Sequence, residues 1–248
     1  EKDRRYQKNR KMQSVRNVTV DDIQNILPHV KDVKRIDFKG GEPMLAKHHD
    51  NFLQWMIDEG MTDVHLLYTT NGTVQNWRIL NLLAQFKNVS LVFSIEGTGS
   101  RYRYIRGWKF PIEQIEKNMA RYNELDNVKI NFNVTVQNYN LMNLVELYNL
   151  LHQWEKKYSR VDANSAFTTI CNQPNYLSPL NVPDNMRDSA LEQLKGIEDF
   201  KTLSRSLSKR IFKPDLWQTF IDYTRDLDKM RNDNILDHCP EFAEYFSD

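Results

Sequence analysis

Residues 34–43 read Lys34-Arg35-Ile36-Asp37-Phe38-Lys39-Gly40-Gly41-Glu42-Pro43. Ile36 and Phe38, two apart in a short run, suit a strand at 34–38. The two glycines that follow permit backbone angles closed to other residues, and the proline fixes the exit of the turn. A strand feeding a tight polar turn belongs to many folds, so the neighbours decide. Residues 63–68 (DVHLLY) read as a second strand and run into Thr69-Thr70-Asn71-Gly72-Thr73. Residues 89–94 (VSLVFS) lead to Ile95-Glu96-Gly97-Thr98-Gly99, and 128–134 (VKINFNV) to Thr135-Val136-Gln137-Asn138. A weaker fifth strand is expected at 161–168.

Helical patterns alternate with these strands, at 21–30, 48–59, 74–86, 112–124 and 141–156, each with an apolar stripe near the 3.6-residue period. Strand starts at 34, 63, 89, 128 and 161 have the pitch of repeated βα units, which require parallel strands and helical crossovers. Near-continuous apolar character in DVHLLY and VSLVFS suits strands buried on both faces. Periodicity fits a parallel α/β barrel and a doubly wound sheet equally. After Thr169 the character changes. Residues 173–184 hold Pro174, Pro179 and Pro183 and read as an irregular connection. Helices at 183–207 and 214–232 then form a C-terminal extension. The expected division is 1–170 and 171–248.

The length of 248 residues suits one large α/β domain, and the net charge of +1 supplies no overall field for nucleic acid or a membrane surface. Seven Lys/Arg between Lys2 and Arg16 read as a solvated helix face. With no 18-residue apolar run and no signal peptide, a cytoplasmic protein is expected. Cys171 and Cys239 stand far apart, forming neither a disulfide framework nor a metal motif. His48 and His49 are adjacent on a helix start and point about 100° apart, which suits them poorly to one ion. Trp55, Trp77 and Trp154 sit in amphipathic helices and are expected in the core.

In parallel sheets functional groups gather past the carboxyl ends of the strands. Singly, Gly-Gly-Glu-Pro is a tight turn, Asn71-Gly72 a common turn pair, and Ser94-x-Glu96 a capping pair. In this order and spacing, Gly40-Gly41-Glu42-Pro43, Thr70-Asn71-Gly72 and Ser94-Ile95-Glu96-Gly97 resemble the radical S-adenosylmethionine (SAM) superfamily. Tyr104-Ile105-Arg106, the helix near Pro111-Ile112 and the strand end at 133–138 are similar to the subgroup with SPASM or twitch extensions. Leu227-Asp228-x-x-Arg231, with Asp237 and Pro240, is similar to the twitch-type relatives.

The resemblance implies an α/β fold, a partial parallel (β/α)6 TIM-like barrel missing its first strand, with a C-terminal helical extension. It implies that Gly40, Gly41, Glu42 and Pro43 border the methionine moiety of SAM. Ser94 and Glu96 would meet the ribose hydroxyls, Glu96 standing where the family more often has Asp. Asn71 would face cofactor or substrate, and Arg106 would pair with the SAM carboxylate, with Arg101 and Arg103 as competitors. The implied reaction begins at a [4Fe–4S] cluster on three cysteines after the first strand and cleaves SAM reductively to a 5′-deoxyadenosyl radical. Peptides or proteins are the implied substrates. The sequence departs from the pattern in one respect: it contains no Cys-x-x-x-Cys-x-x-Cys. It also opens at Glu1 and not at methionine, so the cluster ligands are expected upstream of Glu1, and no metal ligand is assigned within the chain. Two alternatives stand beside this reading. One is a degenerate SAM-fold module, without cluster chemistry, that binds peptides or acts as a scaffold. The other is a cluster-independent enzyme using Glu42 and Glu96 as paired carboxylates for acid–base work.

Overall fold

The computed structural model describes residues 32–107, 110–209 and 212–246, together with 25, 26 and 29. The basic stretch at 2–16 and most of the helix expected at 21–30 lie outside the described residues. Four strands, β1 (Arg35–Phe38), β2 (His65–Thr70), β3 (Val89–Ser94) and β4 (Val128–Asn133), pair in parallel in the order β1-β2-β3-β4. The register aligns Phe38, Tyr68, Leu91 and Ile130 in one row. Among the described strands the order is sequential, without the reversal that marks the switch point of a doubly wound sheet. Right-handed crossovers between successive neighbours place their helices on one face.

The side-chain contacts agree. Phe38 stacks on Tyr68 with ring centroids 4.6 Å apart and meets His49 and Phe52 of α1 (His49–Asp58) edge-on. Phe93 meets Tyr122 of α4 (Ile112–Asn123), and Phe132 meets Trp154 of α5 (Leu144–Lys157). The apolar residues of β2, β3 and β4 that point to this side are buried, while His65, Leu67, Ser90, Val92, Ser94, Asn131 and Asn133 alternate with them and are only half-buried. One face of the sheet is therefore core, and the other is polar and partly open. Between β2 and β3 lies α2 (Trp77–Leu83), capped by the Asn76 side chain, which accepts from the Arg78 and Ile79 amides.

The fifth strand is redistributed. Val161 makes only a bridge to Ile130, and residues 164–167 turn. Asp162 Oδ1 accepts from the Asn164 amide and side chain, a local bond that competes with strand pairing. Regular pairing resumes later, between β5 (Thr135–Val136) and β6 (Thr169–Ile170). The described strands thus form a four-stranded and a two-stranded parallel sheet, and no closed barrel.

Helix α3 (Gly99–Arg106) also departs from expectation, since the sequence reading placed none there. It ends at Gly107, whose φ of 60° is the left-handed conformation that glycine adopts at a helix end. Trp77 differs from the core expectation: it is 53% exposed, because it occupies the first position of α2, ahead of the buried stripe that begins at Ile79. Its ring is covered instead by the Arg121 guanidinium, 5.5 Å from the centroid. Trp154 is buried and Trp55 half-buried. Beyond β6, α6 (Asp184–Leu194), α7 (Lys201–Ser208), α8 (Pro214–Arg231) and α9 (Ala243–Phe246) extend the same hydrophobic core through Trp217, Phe220 and Phe242. Among the described residues no helix is long and apolar enough to cross a membrane.

Candidate functional site

The carboxyl edge of the sheet is stitched together by Glu42. Its Oε1 accepts from the Thr70 hydroxyl at 2.7 Å and from the Met44 amide at 3.2 Å, and its Oε2 accepts from the Asn71 amide at 2.8 Å. One carboxylate therefore caps the short 3-10 turn Pro43–Leu45 and fastens the loop after β1 to the loop after β2. Asn71 Oδ1 accepts from the Thr73 amide and hydroxyl, a local turn that holds Asn71 at the start of that loop. Gly40 and Gly41 stand just before Glu42 with φ of 87° and 56°, and a Cβ built on either meets nothing within 4 Å. Glycine is required there by backbone conformation, and the space beside the turn is open.

One strand further on, Glu96 lies buried past the end of β3. Its carboxylate meets the Arg106 guanidinium in a two-point ion pair: Nη2 donates to Oε1 at 2.8 Å, and Nε faces Oε2. Of the three arginines on α3 only Arg106 reaches it. Arg101 is turned to Glu241, and Arg103 is exposed. Burial pushes the Glu96 carboxyl up to about 7, against the opposing pull of Arg106. Ser94, at the last position of β3, is half-buried on the open face. Glu42 and Glu96 have different partners: Glu42 is held by Thr70, Asn71 and Met44, and Glu96 by Arg106.

Two asparagines that the sequence reading did not single out hold the Glu96 loop. Asn140 Nδ2 donates to the Glu96 carbonyl at 2.9 Å and to the Thr135 carbonyl at 3.0 Å. Asn143 Oδ1 accepts from the Thr98 amide at 2.9 Å, and its Nδ2 donates to the Thr98 hydroxyl. Both belong to the 3-10 segment Asn138–Asn143, and both are buried. Asparagine is seldom buried without a full set of partners. The signal was present as three asparagines within six residues otherwise made of Tyr, Leu and Met. In the same way Asn118 of α4 donates to the Gly72 carbonyl at 2.8 Å and fixes the loop after β2.

His49 lies at the first position of α1, close to this edge. Its Nε2 is 2.9 Å from the Tyr68 hydroxyl, and burial pulls the imidazole down to about 4. His48, its neighbour, adopts φ of 66° and faces Asn51.

No protein-family model matches the chain, and no curated protein matches it. Among solved structures it is similar to a crystal structure of SuiB from Streptococcus suis bound to the precursor peptide SuiA, at 18% sequence identity and a TM-score of 0.46. The match covers 92% of this chain and 45% of that one, so the chain spans less than half the length of SuiB.

Proposed function

We propose that the chain is the SAM-binding core of a radical SAM enzyme of the SPASM/twitch kind, acting on a peptide or protein. The observation that carries the reading is the Glu96–Arg106 pair. It is a buried carboxylate paired with a guanidinium at the same carboxyl edge as the open Gly40-Gly41 turn, two strands along, and that is the edge where a parallel sheet holds its ligand. The residues suit SAM chemically. The glycine turn admits a close approach by the ligand's ammonium, and Glu42 Oε2, with one hydrogen bond made, retains capacity to accept another. Ser94 and Glu96 are apt partners for ribose hydroxyls, and Arg106 can exchange its internal carboxylate for the one on the ligand. Asn71 is carried by the same loop.

The residues do not suit an iron–sulfur cluster. Among the described residues no three His, Cys, Asp or Glu gather to hold a metal ion, and Cys239 is buried with its sulfur 3.6 Å from the Tyr139 carbonyl. Cluster ligation takes several thiolates at one place. No cluster ligand is assigned among the described residues, and no step of radical chemistry is derived from them. The chain's own part is to bind and orient SAM. The division into 1–170 as partial barrel and 171–248 as twitch-like extension belongs to the same proposal, as does a cytoplasmic setting.

Calorimetric titration of SAM into the 248-residue chain tests it. Saturable binding is expected, weakened about tenfold or more in Glu96→Gln, the loss that removing a hydrogen bond to a charged group brings. A folded chain that shows no saturable SAM binding overturns the proposal.

A further inference from the structure

Helix α3 is tied to a segment more than a hundred residues away. The Tyr104 hydroxyl donates to Asp228 Oδ1 at 2.7 Å, and Asp228 Oδ2 accepts from the Ile235 amide at 2.9 Å. Arg231 Nη1 donates to the Tyr104 carbonyl at 2.8 Å, and its guanidinium packs so closely on Gly107 that a Cβ there would sit 2.9 Å from Nη2. The Tyr104 ring stacks on His238, with centroids 5.1 Å apart. At the other end of the helix, Arg101 donates to the Tyr139 carbonyl at 3.0 Å and forms a buried two-point pair with Glu241. Every one of these contacts to 228–241 grips α3, and Arg106 lies two residues past Tyr104.

We infer that the segment from Asp228 to Glu241 is a positioning clamp, in which Asp228 and Arg231 hold α3 in the phase that presents Arg106 to Glu96. The helix needs such a hold. It has eight residues, too few to be stable by itself, and Thr98 provides no side-chain cap. At its C-terminal end Arg231 adds a second donor to the Tyr104 carbonyl, which also accepts from the Gly107 amide. Arg106 cannot be replaced by its neighbours, because Arg101 is spent on Glu241 and Arg103 faces outward. The clamp deepens the SAM-binding reading, since it sets the geometry of the site's one buried ion pair. Its test does not require SAM.

The titration of Glu96 can be followed by its side-chain carboxyl carbon signal in the labelled 248-residue chain. The titratable and charged groups facing Glu96 are Arg106 and Tyr102. Arg106→Met removes the counter-charge and is expected to move the Glu96 midpoint upward. If the clamp holds Arg106 in place, Arg231→Met moves it upward as well, and Arg231→Lys restores most of the wild-type value. Tyr104→Phe removes only the bond to Asp228 and gives a smaller shift in the same direction, so the question stays answerable if Arg231→Met does not fold. A Glu96 midpoint that moves in Arg106→Met but stays at the wild-type value in Arg231→Met, or in Tyr104→Phe where the former is unfolded, overturns the clamp. Absence of SAM binding by the wild-type chain would overturn the functional reading and leave this result standing.

Discussion

Gly72 and Gly41 share a left-handed φ, at 72° and 56°, but differ in what surrounds them. A Cβ on Gly72 would sit 2.7 Å from Phe93 Cδ1 and 2.9 Å from Ile115 Cγ2, inside the core, whereas a Cβ on Gly41 would meet nothing within 4 Å. Gly41→Ala therefore bears only the conformational cost, about 1–2 kcal/mol. Gly72→Ala adds overpacking of about 1–3 kcal/mol. Urea unfolding should place Gly72→Ala below Gly41→Ala in stability; equal losses would mean that Phe93 moves aside freely. At this scale the sequence named the turn and strand-end residues of the candidate site but not their partners. Glu96 was legible as a candidate, yet choosing among Arg101, Arg103 and Arg106 as its neighbour required the phase of α3. No local pattern could reveal that Glu241, 140 residues away, removes Arg101 from the choice.

At the scale of the element, α1 carries a built-in acid sensitivity. His49 occupies its first turn, where the helix dipole disfavours a cation, and burial against Tyr68 holds the imidazole near 4. The unfolded chain binds this proton near 6.5, so between 6.5 and 4 the unfolded state holds more protons than the folded one. Stability from His49 is complete above 6.5 and falls as pH drops through that window, by about 3 kcal/mol. Glu96, raised to about 7, acts in the opposite sense, since its contribution is lost as pH rises from 4.5 to 7. The two nearly offset, so the effect is read as a difference: His49→Gln should gain on the wild type at pH 4.5 relative to pH 7. A gap in unfolding free energy that does not change with pH would exclude it. Elements with strong periodicity were legible to within a few residues, as with 112–124 against Ile112–Asn123. The strand at 161–168 failed because Asp162 bonds its own neighbours, and α3 was missed because its stability comes from contacts and not from its own sequence.

At the scale of the whole molecule, α/β character, parallel strands and the helical extension were all readable from spacing and composition. The sequential order of the four described strands was not, because spacing does not say which strands become neighbours. One hydrophobic cluster runs from Leu53 through Phe132 to Phe220 and Phe242, and the Arg101–Glu241 pair crosses the same boundary. Residues 171–248 should therefore unfold together with the sheet. Denaturant-dependent amide exchange is expected to give the same opening free energy for β3 and α8; a lower value confined to α8 would show that the extension opens by itself.

The unequal faces of the sheet have an evolutionary consequence. Packing constrains Leu66, Leu91 and Ile130, whose loss would leave cavities, but it constrains Ser90, Val92, Asn131 and Asn133 far less. Selection can exchange residues on the open side while the fold is maintained from the other. A lineage built on this sheet could thus change what it recognises more readily than it could lose its shape.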